Sequence, residues 1–400
     1  MLLLTRRALL GAALASVPMV TGAFAQARTT ADWLATPTPT PTPTPAPLRL
    51  TLPAPTGPRP LGTVSLHLID RTRVDPWKAS RPARELMIQI WYPARATHGH
   101  PPVPWMSPGG VAVFEREQRI PSGVLTLPTT HAHLAAPVDP GRRGRPVVLY
   151  SPGLRSDRSL GIVLIEDLVS HGYLVVAIDH TYDADQVEFP GGRVETFAIT
   201  GAIDDALIAK ALAVRTADTR FVLDRLTALN AGRGALAGAF DLSRIGMFGH
   251  SLGGATAAAA LRADRRLRAG VNLDGSLLAP LTAGTDRPFL LFGSDPGPGA
   301  EDPSWDQFWS GQRGWKRELA LTGSTHTSFT DLETLLPQAA PALGLTPDQV
   351  TQAIGPLAPH RAIQAQRAYV RAFFDLHLRH RDTPLLHGPS SRYPEVRFLR

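Results

Sequence analysis

The stretch that most constrains the fold is Arg244–Leu261, which reads Arg-Ile-Gly-Met-Phe-Gly-His-Ser-Leu-Gly-Gly-Ala-Thr-Ala-Ala-Ala-Ala-Leu. A short buried strand, Ile245 to Phe248, runs into a turn and then into a helix of small residues. The turn carries Gly249-His250-Ser251-Leu252-Gly253. A serine on so tight a strand-to-helix turn has a strained backbone that projects its hydroxyl above the sheet. Glycine stands two residues before and two after it, because a side chain there would strike the turn or the helix behind it. The serine also lies at a helix N-terminus, where free N–H groups and the dipole favour developing negative charge. Ser251 is therefore the candidate nucleophile.

The rest of the composition narrows what such a nucleophile can serve. Four hundred residues at 43% apolar and 19% charged content suit one large or two ordinary domains with ample core. The 35 glycines and 38 prolines predict long and numerous loops. There is no cysteine, which excludes disulfides, thiolate metal sites and a cysteine nucleophile together. The formal charge is +7, but the arginines are scattered and no basic stripe is interleaved with aromatics, so nucleic acid is not an expected partner. Such a charge supports at most a weak association with anionic membrane surfaces.

Along the chain, residues 1–25 read as a secretory signal. Arg6 and Arg7 form a twin-arginine pair, Ala8 to Val20 is apolar, and Ala23-Phe24-Ala25 fits a cleavage site. Export by the twin-arginine route, to the periplasm or beyond, is the expectation. No second apolar run of about 18 residues follows, so nothing is expected to span a membrane after processing. Residues 26–60 read as a disordered spacer around five Thr-Pro repeats, where alternating proline fixes φ and removes half the backbone donors. The catalytic domain is expected over 61–388, with 389–400 as a tail. Strands are predicted at Val64–Ile69, Leu86–Tyr92, Arg145–Tyr150, Tyr173–Asp179, Ala269–Leu273, Pro288–Phe292 and Lys316–Leu321. Helices are predicted at 158–171, 203–229 and 361–379. Residues 94–145 show no sustained period and read as a long irregular insertion able to line a cleft. Fully apolar strands alternating with helices predict an α/β fold with a mostly parallel central sheet, covered on both faces. Ligands of such sheets bind at the carboxyl ends of the strands.

A serine hydroxyl needs a base to take its proton, and the base needs a third group to orient it. On the α/β-hydrolase fold, which this pattern suggests, the chain order is serine, acid, histidine. Five histidines follow Ser251. His360, His377 and His380 sit in or beside the last helix and His387 in the tail, where packing or solvent explains them. His326 occupies a turn directly after a strand, in Gly323-Ser-Thr-His-Thr-Ser-Phe-Thr-Asp331, and is the candidate base. Two acids remain open. Asp274 ends one strand in Asn272-Leu-Asp-Gly275, and Asp295 follows the next in Phe292-Gly-Ser-Asp295.

Five blocks in order resemble the platelet-activating factor acetylhydrolase family of the secreted and intracellular type, on the α/β-hydrolase fold. They are Ser151–Leu154, Leu168–His180, Phe248–Gly254, Asn272–Gly275 and Gly323–Asp331, and the resemblance runs from about Leu61 to Leu378. It implies Ser251 as nucleophile, Asp274 as acid and His326 as base, with an oxyanion hole built from the backbone N–H groups of Leu252 and Leu154. The block here reads Ser151-Pro-Gly-Leu-Arg155, so proline stands where the family has histidine and arginine where it has glycine. That departure bears on the shape and charge of the pocket. The implied activity is carboxylic ester hydrolysis through an acyl-enzyme, on a small-molecule or lipid ester such as a phospholipid with a short or oxidised acyl chain. No cofactor and no metal is implied. A lipase or polyester hydrolase of the same fold shares the same logic, a dienelactone hydrolase normally uses a cysteine, and a non-catalytic binding module usually lacks a triad member.

Overall fold

In a computed structural model of the chain, which describes residues 46–141, 144–277, 281–295, 297 and 302–400, the elements follow from the period of burial. The strands are β1 (Leu48–Arg49), β2 (Leu61–Asp70), β3 (Arg84–Pro93), β4 (Pro102–Pro104), β5 (Leu125–Thr126), β6 (Thr129–Leu134), β7 (Arg145–Ser151), β8 (Leu174–Asp179), β9 (Gln186–Phe189), β10 (Arg193–Thr196), β11 (Phe240–His250), β12 (Leu267–Leu273), β13 (Phe289–Ser294), β14 (Lys316–Leu321) and β15 (Val396–Phe398). The helices are α1 (Pro108–Glu117), α2 (Ile162–Ser170), α3 (Asp205–Ala231), α4 (Leu252–Ala263), α5 (Pro303–Gly311), α6 (Leu332–Leu343), α7 (Pro347–Ile354) and α8 (Pro359–Arg379).

Every residue of β7 and β8 is buried, as strands covered on both faces must be. Successive side chains then alternate between two cores. Val148 and Tyr150 join α2 and α8 on one face, whereas Val147 and Leu149 join α3 and α4 on the other. The central sheet has 11 strands in the order β15-β14-β13-β12-β11-β7-β8-β3-β2-β6-β4. Strands β8, β7, β11, β12, β13 and β14 run parallel, while β3 returns antiparallel beside β8 and β15 antiparallel beside β14. The chain first steps from β7 outward to β8 and then comes back to lay β11 on the other flank of β7. That reversal opens a crevice between the carboxyl ends of β7 and β11, where open α/β sheets bind ligands. The pairing of Ser151 with Gly249 brings the loop after β7 beside the serine turn after β11. The architecture is that of the α/β hydrolases.

The expected strands and long helices fall where they were placed, but the boundaries of the folded body do not. Residues 94–145 are not irregular: they hold β4, β5, β6 and α1, and β6 with β4 extends the sheet beyond β2. These elements are two to ten residues long and interrupted by proline, too short to show a period. The tail likewise supplies β15, whose Val396 is buried against the sheet. Residues 48–60, assigned to the spacer, pack as a strap. Leu50 and Leu52 are buried, and β1 pairs with β5. Arg367 of α8 donates to the carbonyls of Ala54 at 2.8 Å and Pro53 at 2.9 Å. Proline-rich sequence here still docks, because its carbonyls find a buried guanidinium as donor. The signal segment and the Thr-Pro repeats, up to residue 45, lie outside the described residues.

Burial of two leucines is worth roughly 1.5–3 kcal/mol each. A chain beginning at Leu61 should therefore melt several degrees below one beginning at Ala46, with Arg367 left without its two carbonyls. Coincident thermal melts of the two would show that the strap contributes nothing to the fold.

Candidate active site

The serine turn is held by contacts that leave no room for side chains. Ser251 has φ 55 and ψ −125, a strained conformation for a residue with a Cβ. Its N–H donates to Leu273 O at 2.9 Å, and its own carbonyl accepts from Gly254 N–H at 2.9 Å. A Cβ on Gly253 would collide with Ser151 O, one on Gly249 with the backbone of Gly253, and one on Gly254 with Asn272 Oδ1. The glycines are thus dictated by the approach of β7 and β12 to the turn. Leu252 N–H opens α4 and has no acceptor within the helix.

The neighbouring strand ends in a second strained turn, at Asp274 with φ 56. Asn272 holds it: its Oδ1 accepts from Gly275 N–H at 2.9 Å, and its Nδ2 donates to Gly275 O at 2.6 Å. Asp274 Oδ1 accepts from Ser294 N–H at 2.8 Å and from Ser294 Oγ–H at 2.9 Å. Its Oδ2 lies 2.6 Å from His326 Nδ1. A carboxylate only accepts, so Nδ1 carries a proton, and whenever the ring is neutral Nε2 is left as an acceptor. Burial pushes the Asp274 carboxyl up. The hydrogen bond and charge of the His326 ring and the two Ser294 donors outweigh it and hold the carboxyl below its usual range. His326 itself is 46% exposed, open to the crevice and to solvent.

His250 packs its ring on that of His326, with centroids 4.4 Å apart. Its Nε2 donates to the His326 carbonyl at 3.0 Å. Burial first, and the His326 charge second, push His250 down to about 3, so it stays neutral at ordinary pH. The other acid serves elsewhere. Asp295 accepts from Arg397 Nη1 at 2.6 Å and from Thr322 Oγ–H at 3.1 Å, tying β15 to the sheet. The structure thus brings Asp274 to His326 and Asp295 to Arg397. No hydrogen bond joins Ser251 Oγ to the His326 ring among the described residues.

On the other side of the crevice, Leu154 sits in the loop after β7, followed by Arg155 at φ 64. The Arg155 guanidinium is half exposed, pairs with Asp185 at 2.7 Å, and lies 4.8 Å from the centre of the Phe197 ring. The arginine that replaces the expected glycine is therefore a neutralised part of the rim. Behind the loop lies a group of buried charges that sequence alone does not single out, with Arg215 and Asp218 on α3 at its centre. The available signal is position: both stand among the buried positions of α3, at Leu212, Thr219, Val222 and Leu226 spacing, where an apolar residue is expected. Ser294, the donor pair to Asp274, gives no such signal beyond ending a strand.

Comparison with known proteins bears on this geometry. A family model described as platelet-activating factor acetylhydrolase, isoform II, matches residues 224–382, which include β11, β12 and the His326 turn. A protein of Arthroderma benhamiae named "Probable 1-alkyl-2-acetylglycerophosphocholine esterase" is 31% identical over 267 residues, covering 64% of this chain and 66% of that protein. The platelet-activating factor acetylhydrolase of Cavia porcellus is 26% identical over 212 residues, 46% of this chain and 48% of its own length. The chain thus spans about two thirds and about half of these relatives. Among solved structures, a ferulic acid esterase from Streptomyces cinnamoneus superimposes with a TM-score of 0.75 at 40% identity, over 88% of this chain and 99% of that one. With the serine turn and the sheet order, these matches show a platelet-activating factor acetylhydrolase, isoform II, domain over residues 224–382 of a chain that carries the α/β-hydrolase fold and whose relatives are named as esterases.

Proposed function

We propose that this protein is an exported serine hydrolase of carboxylic esters that works through an acyl-enzyme. Ser251 attacks the ester carbonyl while His326 Nε2 takes its proton, and Asp274 fixes the Nδ1–H tautomer and stabilises the imidazolium. The amides of Leu252 and Leu154 stabilise the tetrahedral oxyanion, usually the largest single contribution in such reactions. His326 returns the proton to the leaving alkoxide. Water, deprotonated by the same ring, then releases the acid. The observation that carries this reading is the 2.6 Å contact of Asp274 with His326, on the turns beside a serine held at φ 55.

The substrate is a small-molecule or lipid ester. The name of the Arthroderma benhamiae relative favours a phospholipid with a short acyl chain, and the net charge of +7 is compatible with a weak association with an anionic membrane surface. A second reading rests on the structural neighbour, which matches more of this chain than the lipid esterases do: an ester of an aromatic acid. Long-chain lipid or polyester hydrolysis is a further alternative of the same chemistry. Rates on a short-acyl phospholipid, methyl ferulate and a long-chain triglyceride, measured side by side, separate the three. Export by the twin-arginine pair predicts a mature chain starting near Gln26, and replacement of Arg6 and Arg7 by lysine should block it. Unimpaired export of that variant points instead to the general secretory route.

The roles are tested by substitution. Ser251→Ala should fold normally and lose about 10³-fold or more of the esterase turnover. Asp274→Asn should lose on the order of 10⁴-fold in kcat, since the amide reverses the tautomer of His326. Asp295→Asn should keep most of its kcat and lower the melting temperature slightly, because it weakens only the contacts to Arg397 and Thr322. If Asp295→Asn is the inactive variant and Asp274→Asn the active one, the acid has been assigned to the wrong strand.

A further inference from the structure

The loop that presents Leu154 is gripped from behind by a side chain with no contact to the crevice. Arg215, on α3, is fully buried, and every direction of its guanidinium is used. Nη1 donates to Pro152 O at 2.5 Å and to Ser151 Oγ at 3.3 Å. Nη2 donates to Gly153 O at 2.9 Å and also pairs with the buried Asp183, whose other oxygen accepts from Nε at 2.8 Å. Three consecutive residues, Ser151 to Gly153, thus end on one guanidinium.

We propose that Arg215, locked by Asp183, is a positioning residue for the oxyanion hole, setting the direction of the Leu154 N–H. This rests on the acyl-enzyme reading above. The argument is one of peptide geometry. Gly153 C=O and Leu154 N–H belong to the same planar trans unit, in which the two bonds point in opposite directions. A guanidinium that holds the Gly153 oxygen towards the protein interior therefore turns the Leu154 hydrogen away from it. The next unit is fixed by the same acid residue: Arg155 N–H donates to Asp183 O at 3.0 Å. Leu154 lies between two peptide planes, each pinned by one half of the Arg215–Asp183 pair. Gly153 O also accepts from Ser156 N–H at the longer distance of 3.2 Å, so loss of the guanidinium leaves that plane held by one weaker bond and able to tilt.

The neighbouring charges keep Arg215 in place without competing for it. His180 Nδ1–H donates to Asp218 at 3.0 Å, and His180 Nε2 takes the Ser151 hydroxyl at 3.0 Å. Asp218 in turn accepts from Arg84 at 2.7 Å and Arg73 at 2.9 Å. Ser151 Oγ is thereby shared between His180 and Arg215, so β7 ends on two independent anchors. A lysine at 215 keeps the charge opposite Asp183, but one ammonium cannot reproduce the planar fork that reaches two carbonyls and a carboxylate.

The test compares Arg215→Lys, and Arg215→Met combined with Asp183→Asn, with the parent enzyme on para-nitrophenyl acetate. A second readout is inhibition by an alkyl trifluoromethyl ketone, whose adduct with Ser251 carries the oxyanion. Removing one oxyanion donor typically lowers kcat about 10²–10³-fold. A misaimed donor should lower it at least about tenfold in both variants, with KM changed less than about threefold, and inhibitor affinity should fall in step with kcat/KM. Retention of kcat and of ketone affinity in Arg215→Lys overturns the proposal, as does a loss confined to KM or to thermal stability. If the double variant does not fold, Arg215→Lys decides alone. Ser251→Ala run in parallel keeps the two readings apart. An active Ser251→Ala refutes the acyl-enzyme, whereas an inactive Ser251→Ala beside an undiminished Arg215→Lys refutes only the positioning role.

Discussion

Everything in this molecule that concerns chemistry hangs on the close approach of three backbones at the carboxyl ends of β7, β11 and β12. Ser251 can be held at φ 55 only because Gly249, Gly253 and Gly254 let those backbones touch. A Cβ at Gly275 would strike Ser251 O, so the turn that carries Asp274 is built against the serine turn itself. The strain of two non-glycine residues in the left-handed region is of the order of 1–3 kcal/mol each, and it persists only where the surroundings over-determine it. The hydrogen bonds of Asn272, and that of Trp305 Nε1 to Gly275 O at 2.8 Å, do so here.

Behind this front lies a buried electrostatic layer with a different task. Arg84, Arg215, Asp183, Asp218 and His180 are all withdrawn from water and all paired. Burial pushes the Asp218 carboxyl up, but the Arg84 charge and the His180 hydrogen bond outweigh it and hold it far below the usual range. Replacing such a layer by apolar residues is often neutral for stability, whereas removing one member alone leaves an uncompensated charge and costs about 3–5 kcal/mol. The layer's distinctive property is directional: guanidinium forks fix carbonyls, and carbonyls fix the amides on the far side of each peptide plane. The crevice therefore keeps its shape through groups that do not line it.

How much of this was legible from residues alone depends on the range of the interaction concerned. The serine turn is local, and its glycines, strand and helix stand within 18 residues of one another, so Gly249 to Leu261 could be read directly. The parallel strands were equally plain, because burial on both faces forces runs such as Val147 to Tyr150. The strap at Leu50 and Leu52, the short strands of residues 94–145 and β15 were not, since two or three residues carry no period and their partners lie far away. The acid shows the same limit. Asp274 and Asp295 both follow strands, and what separates them is an Arg397 that is 102 residues from Asp295 and a Ser294 whose N–H happens to face Asp274. Arg215 was hidden for the opposite reason. A long helix with arginines at 215, 220 and 225 among alanines and leucines looks ordinary until the buried face is known.

The account's central claim is that one serine, and no other, forms the covalent intermediate. It is tested most directly by treating the full-length protein with a fluorophosphonate, measuring intact mass, and mapping the modified peptide. The account predicts the addition of a single phosphonyl group, located on Ser251, in step with complete loss of esterase activity. A label on another residue, or esterase activity that survives stoichiometric labelling of Ser251, would contradict it.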